Sequence, residues 1–400
     1  MFSFHISHER GSARLGRFET PHGVVETPDF MPVGTHGAVR GLSMEEVAAT
    51  GARMILANAY HLYLRPGDTM VRALGGLHAF TRWSGPMLTD SGGFQLFSLP
   101  KHRSVREEGV EFRSHLDGAL HDYTPELAIR IQRNLGADVI MQLDELIAGG
   151  AELDEARAAV ARSLRWLDRC RAEFDRLSRE GRAPLPAMEL SAGAPSLARG
   201  DEEPPPQALF PIVQGGKHAD ARRESIAGIR NAGDWRGVAI GGLSVGESKA
   251  DMHATLEACD AALPRDIPRY LMGVGFPDDL LEGVRRGVDL FDCVAPTRMG
   301  RDGTAFTPDG KVQIRQMSHR TDRRPLVEEC PCPCCTRYDR AYLRHLFTAR
   351  EDLGVRMLAI HNVTTLVSLM RDARAALRAG TFASWSDAWL ARYRAGNESA

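Results

Sequence analysis

The chain has 400 residues, 43% of them apolar and 26% charged, which is enough for one large domain or two ordinary ones around a sizeable core. No apolar run reaches the roughly 18 residues of a membrane helix, and Met1–Arg10 has neither the basic start nor the apolar stretch of an export signal, so membrane and secreted classes are disfavoured and the cytoplasm is expected. Fifty Lys and Arg against 52 Asp and Glu leave a net charge of −2, which by itself points to no nucleic-acid partner.

In chain order, short apolar or β-branched runs that end in Gly, Asp or Asn predict strands at Phe30–Val33, Met54–Ala57, Pro86–Thr89, Val139–Leu143, Leu209–Val213, Val238–Ile240, Tyr270–Met272 and Val288–Phe291. Helices are predicted between them. Ser43–Ala49 opens on a Ser cap with Glu45 and Glu46, Pro125–Leu135 and Pro277–Gly287 each begin with Pro, and Glu155–Leu177 is long and amphipathic. Eight such units, without an early Gly-x-Gly-x-x-Gly, predict an α/β fold of the closed (β/α)8 type rather than an open doubly wound sheet. Residues 182–207, with Pro184, Pro186, Pro195 and Pro204–Pro206, have the composition of an exposed insertion. From Thr297 the alternation gives way to a Cys-rich segment and helical stretches at Asp339–Leu353, Val363–Ala379 and Ser384–Tyr393. The expected organisation is a barrel over 1–296 and a smaller subdomain over 297–400 whose last helices complete the barrel.

Barrel enzymes carry their chemistry on the loops after the strands. Here those loops hold Asn58–His61, Thr89–Gly93, Asp144–Glu145, Gln214–Gly216, Gly241–Gly242, Gly273–Gly275 and Asp292–Cys293, a ring of carboxylates and amides beside glycines. Asp90, Asp144 and Asp292 each end a strand, and two carboxylates at one mouth suit a retaining glycosyl transfer: one attacks the sugar carbon and the other moves a proton. Each Asp taken singly is equally suited to capping a helix. Gly92, Gly93, Gly215, Gly216, Gly241 and Gly242 would let the backbone approach a flat ligand, and Phe94 and Met272 could sandwich an aromatic base or pack in the core. Arg298 and Arg301, shortly after Asp292, suit phosphate or base-edge contacts as well as surface ion pairs. Between Arg285 and Arg344, twelve Lys and Arg face eight Asp and Glu, a local excess that could orient an anionic ligand.

Seven cysteines include Cys170, Cys259 and Cys293, which are scattered, and Cys330, Cys332, Cys334 and Cys335, which fall within six residues. This crowding, followed by His361, predicts a structural zinc ion rather than a disulfide framework, with five candidates for four ligand positions and His361 at a helix start. Tyr338, Tyr342 and His345 recur at helical spacing and form one aromatic stripe, either packed inside the subdomain or facing another subunit.

Several long motifs now resemble one family. Leu88–Gln95 (LTDSGGFQ), Ile212–Gly216 (IVQGG), Ile240–Glu247 (IGGLSVGE), Asp289–Val294 (DLFDCV) with Pro296–Arg298, and Cys330-x-Cys332-x2-Cys335-x25-His361 resemble the bacterial-type tRNA-guanine transglycosylases, over about Phe4 to Ala379. The resemblance implies an irregular (β/α)8 barrel with a zinc subdomain, and exchange of the wobble guanine of GUN-anticodon tRNAs (Asp, Asn, His, Tyr) for a 7-deazaguanine, preQ1 or alternatively queuine. It implies Asp292 as the nucleophile at the ribose C1′ and Asp90 as the general acid/base. Ser91, Gly92, Gly93, Phe94, Asp144, Gln214, Gly242, Leu243 and Met272 would join Asp90 around the purine. Gly273, Val274, Gly275, Phe276, Pro277, Asp278 and Asp279, with Thr297, Arg298, Met299, Gly300 and Arg301, would hold the RNA. It selects Cys330, Cys332, Cys335 and His361 for zinc. It also implies a homodimer, with Tyr338, Tyr342, His345 and Phe80 at the interface. The chain departs from the family pattern at Leu146, Ala59, His36 and Pro211, where Cys, Thr, Gln and Gly are usual. A sugar hydrolase on the same fold would need neither the cysteine cluster nor the Thr297–Arg301 stretch.

Overall fold

The computed structural model describes residues 2–98, 103–182, 184–185 and 205–398. Its centre is a ring of parallel strands in the order Ala208–Phe210, Val139–Met141, Met87–Thr89, Ile55–Ala57, Asp29–Gly34, Leu290–Cys293, Arg269–Leu271, Val238–Ile240 and Ile212–Val213. The strands at the two ends of this order are separated in sequence only by Pro211, so the ring is all but closed and the fold is the expected barrel. Nine segments replace the eight expected because Leu209–Val213 is broken at Pro211, which has no N–H to give the ladder. Its carbonyl still accepts from Ala239 N at 2.8 Å. Pairing thereby passes from Val139–Met141 on one side to Val238–Ile240 on the other.

Met31, Leu56, Leu88, Met141, Phe210, Tyr270 and Leu290 pack together as one buried cluster that fills the ring, as barrel interiors require. The helices outside follow their sequence signals. Ser43 and Glu46 form a reciprocal capping box at Met44–Ala49, and Pro125–Leu135 runs over the predicted span between Thr124 and a left-handed Gly136.

Among the described residues three antiparallel sheets were not foreseen, because their strands do not read as apolar runs; the smallest pairs Thr304–Thr307 with Gly310–Gln313. Ser3–Arg10, Ala13–Thr20 and Gly23–Thr27 cover the N-terminal end of the barrel, with Phe18 and Val25 joining the interior cluster. Arg14 pairs there with Asp289, and His22 Nδ1 lies 2.8 Å from Asp138, each acid standing just before a barrel strand. The second sheet, Arg103–Val105, Val110–Arg113 and Leu120–Tyr123, adjoins the opposite end, where Tyr123 Oη donates to Ser91 O at 3.0 Å.

The C-terminal helix Asp352–Ala379 begins well before the expected Val363. At 28 residues it is long and apolar enough to cross a membrane, against the expectation that no segment is. Its apolar stretch is mostly buried, and it packs on the helix Ala295–Asp302 and the strand Asp29–Gly34, which makes it a core helix. The Pro-rich stretch expected at 182–207 lies outside the described residues apart from 182, 184–185 and 205–207.

Candidate active site

Asp292 is the third residue of the strand Leu290–Cys293. Register pairs Tyr270 with Leu290, so Tyr270 and Asp292 project from the same face of adjacent strands. Tyr270 Oη donates to Asp292 Oδ1 at 2.6 Å, and the Gly273 N–H donates to the same oxygen at 2.7 Å. Among the described residues Oδ2 has no hydrogen-bond partner, so one oxygen is held and the other is presented. The residue is 8% exposed. Burial raises its pKa, and the Gly273 and Tyr270 hydrogen bonds oppose the rise.

Asp90 follows the strand Met87–Thr89 and is half-buried. Asn58 Nδ2 donates to its Oδ2 at 2.5 Å and the Ala59 N–H to its Oδ1 at 2.9 Å. Asn58 is held in turn as the cap of the helix Ala59–Leu64. Burial, with repulsion from Asp292 as a further contribution, raises the Asp90 pKa to about 7. Asp90 therefore feels the Asp292 charge across the mouth.

Asp144 and Gln214 form the next pair. Gln214 Nε2 donates to Asp144 Oδ2 at 2.5 Å, and burial raises the Asp144 pKa to about 6. Gln214 Oε1 is buried without a hydrogen-bond partner, an acceptor left free for a donor from a ligand. The glycines are required beside this pair: a Cβ on Gly93 would come 2.8 Å from Asp144 Oδ1, and one on Gly242, whose φ is +65°, would come 2.4 Å from Gln214 Oε1. Ser91 and Leu243 are buried beside the loops, Met272 is half-buried, and Phe94 is 57% exposed, an open aromatic face at the mouth.

The residues expected to hold RNA are sorted by their surroundings. Gly273 and Arg298 are exposed, while Phe276, Asp278, Met299 and Arg301 are half-buried. Val274, Gly275, Pro277, Asp279, Thr297 and Gly300 are buried. Gly300 serves helix packing, since a Cβ there would come 2.9 Å from Ala359 N. Lys249 Nζ reaches both Asp278 and Asp279, at 2.6 and 2.8 Å. Burial followed by repulsion from Arg40 and Arg298 lowers the Arg301 pKa, which marks a cluster of three arginines beside the mouth. Sequence reasoning missed Tyr270, Lys249 and Arg40, and gave Asn58 only as part of the loop Asn58–His61. Tyr270 carried no sequence signal, since strand register alone sets it on the diagonal from Asp292.

Cys330, Cys332, Cys335 and His361 converge, with their Sγ atoms 3.7, 3.6 and 3.3 Å from His361 Nδ1. Tetrahedral zinc with bonds of about 2.3 Å to sulfur and about 2.1 Å to nitrogen separates S and N by roughly 3.6 Å, so these residues fit that ion. His361 Nε2 donates to Phe306 O at 2.8 Å, which leaves Nδ1 free to ligate. Cys334 is buried but outside the cluster. His361 lies well inside the helix Asp352–Ala379 rather than at a helix start. Tyr338 does not share a helix with Tyr342 and His345, as the spacing had suggested: it lies in extended backbone before the helix Arg340–Ala349, where it stacks on Tyr342 at 5.2 Å, with His345 6.3 Å from Tyr342. Tyr342 and Phe80 are 41% and 39% exposed.

The sequence profile described as Queuine tRNA-ribosyltransferase matches residues 9–395. The chain belongs to the queuine tRNA-ribosyltransferase family. It is thus a tRNA-guanine transglycosylase, a pentosyltransferase. A queuine tRNA-ribosyltransferase of Symbiobacterium thermophilum is 51% identical over 96% of this chain and 89% of its own length. Proteins of the same name from Herpetosiphon aurantiacus and Shewanella denitrificans are 47% and 48% identical, covering 98% and 94% of this chain and 93% of each relative. Within this family frame Leu146, a departure noted in the sequence, lines a cavity of about 490 Å³ with Gly93, Leu96, Asp144 and Trp166.

Proposed function

We propose that this transglycosylase replaces the guanine at position 34 of GUN-anticodon tRNAs by preQ1, through an RNA joined covalently to Asp292. The observation that carries the reading is the arrangement of Asp292, held on Oδ1 by two donors with Oδ2 open, opposite an Asp90 whose pKa lies near 7. Oδ2 attacks the ribose C1′ as the C1′–N9 bond breaks, and the electron pair leaves with the guanine. Protonated Asp90 supplies the proton that neutralises the departing base. The incoming deazaguanine then attacks C1′, loses its ring N–H proton to Asp90 and restores the Asp292 carboxylate. The ester retains the energy of the old bond, so no nucleotide cofactor is required.

In the same reading Asp144, Gln214, Gly242 and the Leu243 backbone hold the edge of the base. Phe94 and Met272 cover its faces, with Ser91, Gly92 and Gly93 shaping the loop beside it. The loop Gly273–Asp279 and the residues Thr297–Arg301 hold the flanking nucleotides. Extruding a base from a partly single-stranded anticodon loop costs only a few kcal/mol. Leu146, which shares a cavity with Gly93 and Asp144, takes up room beside the base and supports the short 7-substituent of preQ1, with queuine the alternative. Zinc held by Cys330, Cys332, Cys335 and His361 supplies a structural cross-link. Tyr338, Tyr342, His345 and Phe80 form the contact of a homodimer, and the protein works in the cytoplasm with its tRNA.

The test is to mix enzyme with a GUN-anticodon tRNA, denature, and look for protein-bound RNA. Wild-type protein yields the adduct, and free preQ1 discharges it in preference to queuine. Asp292→Ala yields no adduct and no guanine exchange. Exchange at wild-type rate by that variant overturns the assignment.

A further inference from the structure

Arg222 lies on the helix Ala219–Ala232, outside every motif singled out in the sequence, and it is fully buried. A buried guanidinium ordinarily has a carboxylate partner, yet among the described residues none lies within ion-pairing range of this one. It donates instead to backbone carbonyls: Nε to Gly216 O at 2.9 Å, Nη1 to Val213 O at 2.9 Å and Gly241 O at 2.7 Å, and Nη2 to Gly242 O at 3.3 Å. These carbonyls belong to the two loops that flank Gln214. One helical turn along, Ser225 Oγ accepts from Gln214 N at 3.1 Å. Two glycines are fitted to the same helix: a Cβ on Gly215 would come 2.8 Å from Arg222 N, and one on Gly242 would come 3.4 Å from Arg222 Nη2.

The peptide unit is planar and trans, so its C=O and N–H point in opposite directions. Capturing the carbonyls of Gly241 and Gly242 turns the N–H groups of Gly242 and Leu243 away from Arg222. The Gly242 and Leu243 amides therefore form a paired donor site beside the free acceptor Gln214 Oε1. Donors next to an acceptor complement a purine that carries an oxo group next to a ring N–H. A five-donor fork fixed in one plane suits this clamp, and a lysine ammonium cannot reproduce it.

We infer that Arg222 is a positioning residue that fixes the backbone donors of the base pocket, and so sets the preference for 6-oxopurines without touching substrate. The inference rests on the base-edge role proposed above for Gln214 and Gly242. It is tested with guanine and 2-aminopurine, which lacks the oxo group, as competing ligands for wild-type, Arg222→Lys and Arg222→Met enzymes, with KM measured separately for base and tRNA. Arg222→Met is expected to raise the KM for guanine by about tenfold or more and to collapse the preference over 2-aminopurine, with the KM for tRNA within about twofold of wild type. Arg222→Lys falls between, and added guanidinium restores guanine preference to the Met variant. Should Arg222→Met fold poorly, Arg222→Lys carries the test. A folded variant with unchanged guanine preference, or with both KM values raised alike, overturns the inference. Gln214→Ala separates the two layers: if it too leaves guanine preference unchanged, the base-edge reading itself fails.

Discussion

At the scale of single residues, the site separates two aspartates by environment. Tyr270 lowers the pKa of Asp292 by donating to Oδ1, so Tyr270→Phe should raise it and move the acid limb of the pH–rate profile to higher pH. A hydrogen bond to a charged group is worth about 1.5–3 kcal/mol, so adduct formation should slow by roughly ten- to a hundredfold. Single-turnover rates across pH check both effects. Asp90, the proposed proton donor, has a pKa raised to about 7: it holds a proton to give below that pH and loses it above, so expulsion of guanine should decline as pH rises through about 7. Asp90→Asn should remove that limb and cost about 10²–10⁴ in rate. Both aspartates were legible in the sequence, because each ends an apolar strand. Tyr270 was not, and Asn58 was legible only as a member of the loop after its strand, without its role. A tyrosine inside a strand and an asparagine at a helix cap look structural until register and capping place their polar ends on a carboxylate.

At the scale of elements, the proposed zinc ligands join three pieces of chain. Cys330 precedes the short helix Pro333–Arg337, Cys335 lies within it, and His361 lies in a core helix that also packs on the barrel. Removing the metal should therefore loosen the loop and short helix around residues 326–338 while the helix Asp352–Ala379 stays folded. Hydrogen exchange before and after chelation checks this, with faster exchange expected in the first segment only. Binding in small zinc modules is worth ~10–16 kcal/mol, an upper bound for a ligand set half anchored by the fold. The cysteine spacing was plain in the sequence. The position of His361 was misjudged because Asp352–Asn362 contains Gly354 and polar breaks, and its helical state comes from tertiary burial. Arg298, exposed on the helix Ala295–Asp302, should serve RNA rather than the base. Arg298→Ala is expected to weaken tRNA binding and leave free-guanine binding intact, as titrations with each ligand would reveal.

At the scale of the whole molecule, the barrel order was readable from eight strand runs, whereas the sheet sealing its N-terminal end was not, since Ser3–Arg10 alternates only between exposed and half-buried positions. Asp138 anchors that seal. Burial alone would raise its pKa, but hydrogen bonds from His22, His78 and the Met87 N–H hold it at about 2. A carboxylate depressed in this way contributes stability above its unfolded pKa, near 4, and the contribution disappears as pH falls towards 2. About 2 kcal/mol is at stake for a shift of this size. Asp138→Asn should lower the melting temperature at neutral pH and flatten its decline between pH 4 and 2, as calorimetry across pH would record.

The pairing of Arg14 with Asp289 spans 275 positions. A ribosome therefore exposes the first hairpin long before its acidic counterpart emerges, and until then the underside of the barrel has no floor. Leaving either charge buried and unmatched is costly, so closure comes late in synthesis. A nascent chain arrested short of residue 289 should engage chaperones and succumb to protease, even with every strand up to Arg269–Leu271 already made.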